Sequence, residues 1–357
     1  MRTISRVAGF IAAWSASFAA ASTAHADDER VVTEVVVEAS VDDVWGAWTT
    51  KQGMESWMVA HAEIELKVGG KMLTHYNPNG QIGDPNTIEN TILSFEPNRM
   101  LSIKATKPPE NFPFKEALRD MWTVLLFEPL GANRTRVRVV SMGFRDTEES
   151  RKMRQHFEAG NAWTMKKLQA KFADAPSKPV PGKPNGAGAE SSPAASGADL
   201  VPIKLEVTVS APPADAWKAW ATNEGAQAFF APKTNIELRV GGPYEILFSP
   251  DNPPGQRGAE DLRVLSFLPL EMLSFEWSAP PQFARARPQR TWVVLRLGDA
   301  GEGRTRVQLT HLGFKERADA RPEERDEWVQ VHEYFAKAWP RVLANFKRRF
   351  DPDAASP

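Results

Sequence analysis

The sequence predicts an α+β fold that occurs twice. Each of two tandem domains is expected to be a curved antiparallel sheet of about six to seven strands wrapped around a long C-terminal helix. Three observations predict this. A segment recurs at an offset of 172 residues, which aligns Trp45 with Trp217 and Val68-Gly69-Gly70 with Val240-Gly241-Gly242. Alternating apolar and polar residues indicate strands in each copy. A long amphipathic stretch, typical of a helix packed on a core, ends each copy.

The repeat divides the chain into domains. Residues 27–173 form the first predicted domain and residues 200–351 the second, each close to the usual size of an independent core. Residues 174–199 are almost entirely Ala, Pro, Gly, Ser and Lys, and they contain no aromatic residue. Such a segment cannot bury enough apolar surface to offset its ordering entropy. We therefore expect a flexible linker, two domains that need not hold a fixed relative orientation, and a disordered tail at residues 352–357.

The N-terminus has the pattern of a secretory signal. Arg2 and Arg6 precede an uncharged apolar stretch at residues 7–21, and Ala24-His25-Ala26 is a small-x-small cleavage site. The pattern predicts a signal peptide over residues 1–26 that is cleaved near Ala26, and a periplasmic or secreted mature protein. An N-terminal membrane anchor is the alternative, although the apolar stretch is short for one.

Composition excludes several classes of function. The chain has no cysteine, which rules out thiolate catalysis and cysteine-ligated metals. Its formal net charge of −1 leaves no strongly basic surface for nucleic acid. Beyond the leader no apolar run is long enough for stable membrane insertion. No metal site is predicted, and no cofactor either, because phosphate-cradling and dinucleotide motifs are missing.

Strands and turns follow the same plan in both copies. Period-two alternation at 203–209 and 305–311 in the second copy, and at 136–139 in the first, predicts half-buried antiparallel strands. Val68-Gly69-Gly70 and Val240-Gly241-Gly242 lie between such alternations. They are expected to form tight hairpin turns in which glycine supplies a positive φ.

Helices are predicted at both ends of each copy. Near the start of the second copy, a short helix that begins at prolines places Trp217 and Trp220 on one face. The final helix of that copy carries a stripe of Trp328, His332, Phe335, Trp339, Val342, Phe346 and Phe350. Pro340 is expected to kink this helix or split it in two.

The final helix of the first copy has a weaker stripe. Its members are Met153, Phe157, Gly160, Thr164, Leu168 and Phe172. An offset of 176 residues pairs His156 with His332 and Trp163 with Trp339 across the two final helices. This pairing is taken as the alignment of the two stripes.

These motifs, in their order and spacing, resemble START-like (SRPBCC, helix-grip) domains, and most closely the branch named for the activator of the heat-shock protein 90 ATPase. The motifs of the first copy are Val44-Trp45-Gly46-Ala47-Trp48, Gly53-Met54-Glu55-Ser56-Trp57-Met58, Ile64-Glu65-Leu66-Lys67-Val68-Gly69-Gly70, Leu93-Ser94-Phe95-Glu96-Pro97, Arg134-Thr135-Arg136-Val137, Gly143-Phe144 and a last helix with Trp163. The second copy repeats them. The resemblance implies an internal apolar cavity in a family that binds lipids, polyketides and other hydrophobic molecules. It implies no common catalytic set, and an export signal conflicts with a cytosolic chaperone partner.

The resulting hypothesis is an exported protein that binds a hydrophobic small molecule or lipid between sheet and C-terminal helix. The candidate ligand-binding residues are Trp57, Met58, Trp122, His156, Phe157, Trp163, Phe229, Phe230, Trp277, Trp292, His311, His332, Phe335 and Trp339. Each tryptophan could instead fill the core. Two alternatives stay open. One is an interaction module that binds an envelope protein, and the other is a cyclase or lyase that uses His311 and His332 as acid–base groups.

Overall fold

A computed structural model describes residues 30–173 and 200–352 of the chain. The predicted signal peptide and linker lie outside these residues, as does the predicted tail apart from residue 352. Both copies fold as α+β domains with antiparallel sheets and a long final helix. The predicted fold class is therefore confirmed.

The first domain is one sheet with a long helix across it. Its elements are β1 (Arg30–Val37), α1 (Val41–Thr49), α2 (Lys51–Glu55), β2 (His61–Ile64), β3 (Lys71–His75), β4 (Ile88–Glu96), β5 (Met100–Lys107), α3 (Lys115–Leu118), β6 (Trp122–Gly131), β7 (Arg134–Met142) and α4 (Glu148–Ala173). The seven strands follow the order β1-β7-β6-β5-β4-β3-β2 and pair antiparallel throughout. The first and last strands thus meet beside each other, while the short β2 forms the opposite edge.

The second domain repeats this plan with an interrupted sheet. Its elements are β8 (Ile203–Val209), α5 (Pro213–Ala221), α6 (Asn223–Gln227), β9 (Lys233–Ile236), β10 (Tyr244–Leu247), β11 (Gly258–Ala259), β12 (Val264–Leu268), β13 (Met272–Ser278), β14 (Arg290–Asp299), β15 (Thr305–Leu312), α7 (Phe314–Ala320), a 3-10 turn (Pro322–Glu324) and α8 (Arg325–Phe350). Five strands form the order β12-β13-β14-β15-β8, and three form β11-β10-β9. Asp261, with a φ of 56°, interrupts the chain where the first domain has the continuous strand β4.

The short helices near the start of each domain are built in the same way. Thr50 and Thr222 cap α2 and α6 by accepting hydrogen bonds from the backbone N–H groups of Gly53 and Gly225. Neither glycine tolerates a side chain, because a Cβ there would lie about 2.0 Å from a carbonyl oxygen of the preceding helix. This close approach explains why both copies have glycine at this position.

The two final helices present equivalent faces at an offset of 174 residues. At this offset the buried Met165 and Phe172 of α4 correspond to the buried Trp339 and Phe346 of α8. The predicted offset of 176 is therefore wrong. It matches Trp339, which is 1% exposed, to Trp163, which is 52% exposed. A shift of two residues turns a helix by about half a turn, so identity of residue type misplaced the buried face.

Helix α8 continues through Pro340. It is one helix from Arg325 to Phe350, so the predicted split is wrong. Pro340 itself is exposed, while Trp339 and Leu343 beside it are buried in the core. The packing of these neighbours compensates for the backbone hydrogen bond that proline removes.

The outer faces of the two sheets pack against each other with approximate twofold symmetry. The indole N–H of Trp122 on β6 donates to the carbonyl oxygen of Phe267 at 3.1 Å, and that of Trp292 on β14 donates to the carbonyl oxygen of Phe95 at 2.8 Å. Each indole also packs on the ring of the same phenylalanine. The contact is isologous, as in a twofold dimer. These contacts join the two described domains directly, in addition to the linker.

Polar contacts between the domains add to this interface. The carboxylate of Glu96 in the first domain is buried and lies 3.0 Å from Arg296 Nε of the second. It also accepts a hydrogen bond from Thr310 at 3.0 Å. On the other side of the interface Glu271 of the second domain pairs with Arg138 of the first. The buried carboxylate of Glu96 is thus paired, as burial requires, and the Glu271–Arg138 pair is partly exposed.

Candidate functional site: the cavity of the first domain

A cavity of about 470 Å³ lies in the first domain between the inner face of the sheet and helix α4. Its apolar lining comes from the short helices, the sheet and α4. These residues are Trp48, Met58, Met72, Ile88, Ile103, Ala105, Met121, Leu125, Val139, Phe157, Trp163 and Met165. Tyr76 and Trp163 lie at its mouth, where both side chains are about half exposed. A concave apolar space of this size is typical of a small-molecule site.

Small side chains leave this space open where the second domain has large ones. Aligning the strands and helices of the two domains pairs each residue of the first with the residue at the same position of the fold in the second. The pairs are Ala105 and Trp277, Asn161 and Phe335, Met165 and Trp339, and Met72 and Tyr244. In every pair the first domain has the smaller or more flexible side chain. The backbone is shared, so the cavity results from side-chain volume.

Aromatic rings occupy the equivalent space in the second domain. The rings of Phe230 and Trp277 stack with their centroids 5.7 Å apart, and Trp277 and Trp339 lie 5.1 Å apart. Phe335 stacks on Trp339 from the next turn of α8. What remains is a narrower cavity of about 290 Å³ toward the surface. The second domain is thus packed where the first is hollow.

A group of uncharged polar side chains lies on the wall of the first cavity. Asn161 Nδ2 on α4 donates to Ser141 Oγ on β7 at 3.3 Å, and Ser141 Oγ lies 3.2 Å from Thr123 Oγ1 on β6. Asn161 and Thr123 line the cavity, whereas Ser141 is buried behind them. Val293 and Phe335 take the places of Thr123 and Asn161 in the second domain. The polar group is therefore specific to the hollow domain.

No charged side chain of Asp, Glu, Lys or Arg lines the cavity within the described residues. Tyr76 at the mouth is neutral with its ordinary pKa of about 10, and the partial burial of its hydroxyl raises that pKa further. At the mouth, Lys167 donates to the carbonyl oxygen of Met58 at 3.1 Å and lies 4.6 Å from the centre of the Trp163 ring. The ionisable side chains of the lining are thus limited to Tyr76 and His156.

The segment between β5 and α3 closes one end of the cavity. Pro108, Pro109 and Phe112 of this segment contribute to the lining. The rings of Phe112 and Phe114 pack on His156 of α4, with centroids 5.7 and 5.9 Å apart. These contacts join the segment to the helix and explain why His156 lies at the cavity wall.

The family model of the Activator of Hsp90 ATPase homolog 1-like proteins matches residues 38–173 and again residues 210–351. The chain belongs to this family. The family resemblance expected from the sequence is thereby confirmed for both copies. No curated protein sequence matches the chain at a significant level.

The chain is also similar to solved structures of other proteins, over part or nearly all of its length. Protein MLL2253 from Mesorhizobium loti is 19% identical and covers 41% of this chain and 98% of its own, with a TM-score of 0.34. DynU16 from the dynemicin biosynthetic locus is 16% identical over 90% of this chain and 98% of its own, with a TM-score of 0.32. The di-domain ARO/CYC protein BexL is 11% identical over 92% of this chain and 99% of its own, with a TM-score of 0.32.

Eight of the candidate ligand-binding residues line cavities in this family member. Those in the first domain are Met58, His156, Phe157 and Trp163. Those in the second are Phe230, Trp277, Phe335 and Trp339, which line the narrower space. The structure thus brings together four candidates in each domain, and whether they bind a ligand stays a prediction.

Four other aromatic candidates lie away from the cavities. Trp122 and Trp292 were expected to face them, but they point to the outer sheet faces and form the interface between the domains. Trp57 is buried against Trp48 and donates its indole N–H to the carbonyl oxygen of Ala47 at 3.1 Å. Phe229 is buried between Trp220 and Phe346. These four residues are core or interface residues.

The two histidines of the cyclase or lyase alternative lie outside the lining of the second cavity. His311 is fully buried, and its Nδ1 accepts a hydrogen bond from Trp339 Nε1 at 2.9 Å. The proton of the neutral ring therefore lies on Nε2, which is 2.8 Å from Thr291 Oγ1. Burial lowers the pKa of His311 well below its ordinary value, and His332 lowers it further. His332 Nε2 is 2.9 Å from the carbonyl oxygen of Val201, and neither histidine lines the cavity.

A third concavity, of about 500 Å³, lies between the two domains and has a charged lining. Four of its five arginines are paired with glutamates. Arg136 contacts Glu34 and Glu128, and Arg138 contacts Glu271. Arg296 and Arg306 contact Glu96 and Glu206, whereas Arg99 makes no ion pair with the described residues. We assign no ligand to this cleft.

Across residues 30–173 and 200–352 no helix is long and apolar enough to cross a membrane. In the same two ranges no cluster of three or more His, Asp or Glu side chains could hold a metal ion.

Several residues of the site were missed at the level of sequence. Ala105, Thr123 and Asn161 attract no attention by residue type, because small and polar residues are common on strands and helices. The signal that could have found them is the repeat itself. When the side-chain volumes of the two copies are compared position by position, Ala105 stands out because its counterpart is the much larger Trp277.

Proposed function

We propose that the protein binds a hydrophobic small molecule in the cavity of the first domain, and that the second domain supports it as a packed partner. One observation carries this proposal. At equivalent inward positions the first domain has small side chains where the second has Trp or Phe, and a cavity of about 470 Å³ results. Empty apolar space weakens a fold. A chain that keeps such a space in one copy and fills it in the other is best explained by a ligand for the first.

The expected affinity is moderate. Burial of roughly 300 Å² of apolar ligand surface contributes about 7 kcal/mol at the usual coefficient. Association and ordering costs remove several kcal/mol of that gain. A dissociation constant on the order of micromolar to millimolar follows. A lipid is one possible ligand class, and so is a compact aromatic molecule.

The test fills the cavity by replacing Ala105 with tryptophan, the residue at the equivalent position of the second domain. The probe is methylanthracene. Its binding is measured by the change in its own fluorescence when the full chain is added. We expect the wild type to bind and Ala105→Trp to lose at least tenfold in affinity, since Trp277 occupies the same place in the second domain. Thr106→Trp is the matched control. It adds the same side chain one residue later, at an exposed position on the opposite face of β5.

Equal loss in both variants would show that binding does not depend on the cavity. No binding by the wild type, together with no small molecule retained through native mass spectrometry, would exclude the proposed function. Retention of probe binding by Ala105→Trp in a folded protein would place the site elsewhere.

We also infer that the protein is exported to the periplasm or the medium. The signal-like pattern of residues 1–26 motivates this inference. The expected mature N-terminus is Asp27, and Edman or mass-spectrometric sequencing of the protein from an exporting host checks it. An intact Met1 in that material would contradict export by cleavage.

A further inference from the structure

The cavity of the first domain combines apolar walls with a short polar chain. Thr123, Ser141 and Asn161 are linked by hydrogen bonds of 3.2 and 3.3 Å, and two of them face the cavity. From the described residues no hydrogen bond reaches the amide oxygen of Asn161 or the side chain of Asn90, which also lines the cavity. Both groups can therefore bond to a ligand or water.

Two of these three polar residues have apolar counterparts in the second domain. It has Val293 in place of Thr123 and Phe335 in place of Asn161, on the same strand and helix positions. The fold thus accommodates apolar residues at these two positions. An amide directed at an apolar cavity costs free energy unless it has a partner. A ligand group that forms a hydrogen bond with Asn161 would offset this cost.

The charge of the lining restricts that ligand group. No Asp, Glu, Lys or Arg side chain among the described residues lines the cavity, and the imidazole of His156 in the lining packs against the rings of Phe112 and Phe114. A buried carboxylate or ammonium without a partner carries a large desolvation cost, whereas a hydroxyl or carbonyl group needs only one or two hydrogen bonds. Asn161 and Thr123 can supply these as both donors and acceptors.

We propose that the ligand is an uncharged amphiphile, an apolar skeleton with a hydroxyl or carbonyl group that binds at Asn161 and Thr123. This proposal rests on the proposed function and specifies its ligand class. The competing arrangement places a carboxylate at the mouth, where Lys167 lies beside Trp163 and Met58. The two arrangements predict opposite preferences between an alcohol and an acid with the same skeleton.

The experiment measures the affinity of the full chain for three anthracene derivatives. These compounds differ only in the group on the central ring, which is a methyl, hydroxymethyl or carboxylate group. We expect the hydroxymethyl compound to bind the wild type best, up to roughly tenfold tighter than the methyl compound. The carboxylate should bind on the order of a hundredfold more weakly than the alcohol.

Variants that copy the second domain assign the effect to residues. Thr123→Val introduces the residue found there, and Asn161→Leu introduces an apolar residue at the position of Phe335. Each should remove most of the preference for the alcohol and leave binding of the methyl compound unchanged or tighter. Lys167→Met should change none of the three affinities by more than about twofold.

The outcomes separate the two proposals. If none of the three compounds binds the wild type, the proposed function fails and the ligand class fails with it. If the methyl and hydroxymethyl compounds bind equally well, the cavity is a binding site and only the neutral-amphiphile proposal is overturned. A preference for the carboxylate that disappears in Lys167→Met also overturns it, and it assigns the polar end of the ligand to the mouth.

Discussion

The two domains share one fold and use its interior differently. In the second, Trp277, Phe335 and Trp339 fill the space between sheet and helix, and a chain of hydrogen bonds runs from Trp339 through His311 to Thr291. In the first, Ala105 and Asn161 leave about 470 Å³ open. A few side chains thus decide whether this fold encloses a packed core or a cavity.

This difference also divides the roles of the domains. A hollow domain has fewer buried contacts across its centre, whereas a packed one gains them. The two are joined by an interface of matched Trp–carbonyl contacts. The packed domain can therefore stabilise the hollow one through their shared interface.

The largest effect should come from emptying the packed domain. Trp339→Ala removes a buried indole and leaves His311 Nδ1 without its donor. We expect a loss of about 3–5 kcal/mol in the free energy of unfolding, the usual cost of Trp to Ala in a core. Urea denaturation followed by far-UV circular dichroism measures it.

The matched control is Trp163→Ala in the hollow domain. Trp163 is half exposed at the mouth of the cavity, so its removal should cost less than about 1 kcal/mol. Similar losses in the two variants would contradict the division into packed and hollow domains.

Much of the fold was predictable because the relevant signals are local or repeated. Strand alternation and the stripe on the final helix each follow from the period of one element. The repeat then showed that the same elements occur twice, and the family resemblance followed from their order. The relative placement of elements, however, depends on which face of each is buried.

The site was less predictable for that reason. The pairing of Trp163 with Trp339 used residue identity, whereas the buried faces align two residues away, at Met165. Trp122 and Trp292 were assigned to the cavities because aromatic residues favour binding sites. Each of them in fact begins a nearly continuous apolar run, over 122–127 and 292–297, which indicates a strand buried on both faces.

Equivalent substitutions on the two sides of the interface should lower the stability by similar amounts. Trp122→Phe and Trp292→Phe each keep an aromatic ring and leave a buried carbonyl, of Phe267 or Phe95, without its donor. We expect each to cost about 1–3 kcal/mol of unfolding free energy, and the two costs to agree within about 1 kcal/mol. Urea denaturation of the full chain measures both.

Trp45→Phe is a suitable control for these two variants. Trp45 is half buried against Phe127, and its indole makes no hydrogen bond with the described residues. The change should therefore cost about 0.5 kcal/mol or less. A large cost for only one of the two interface variants would show that the interface lacks the reciprocal character that its geometry indicates.

The smallest expected effect is a loss of stability at low pH. It should arise from one side chain of the second domain, His311. Burial lowers the pKa of His311 well below 6.5, with a further contribution from His332, while the first domain has Ser141 at the same position. Below about pH 6.5 the unfolded chain takes up a proton at His311 that the folded chain does not. Stability present above that pH is therefore lost as the pH falls, by up to about 1.4 kcal/mol per pH unit from this group.

His311→Gln keeps an acceptor for Trp339 and a donor for Thr291 without a titratable ring. The variant should be less stable at neutral pH but should lose less stability between about pH 6.5 and 5.5 than the wild type does. The other histidines are common to both proteins, so the difference between the two slopes isolates His311. Equal slopes would mean that His311 becomes protonated within the folded domain, which its burial beside Trp339 and Phe335 opposes.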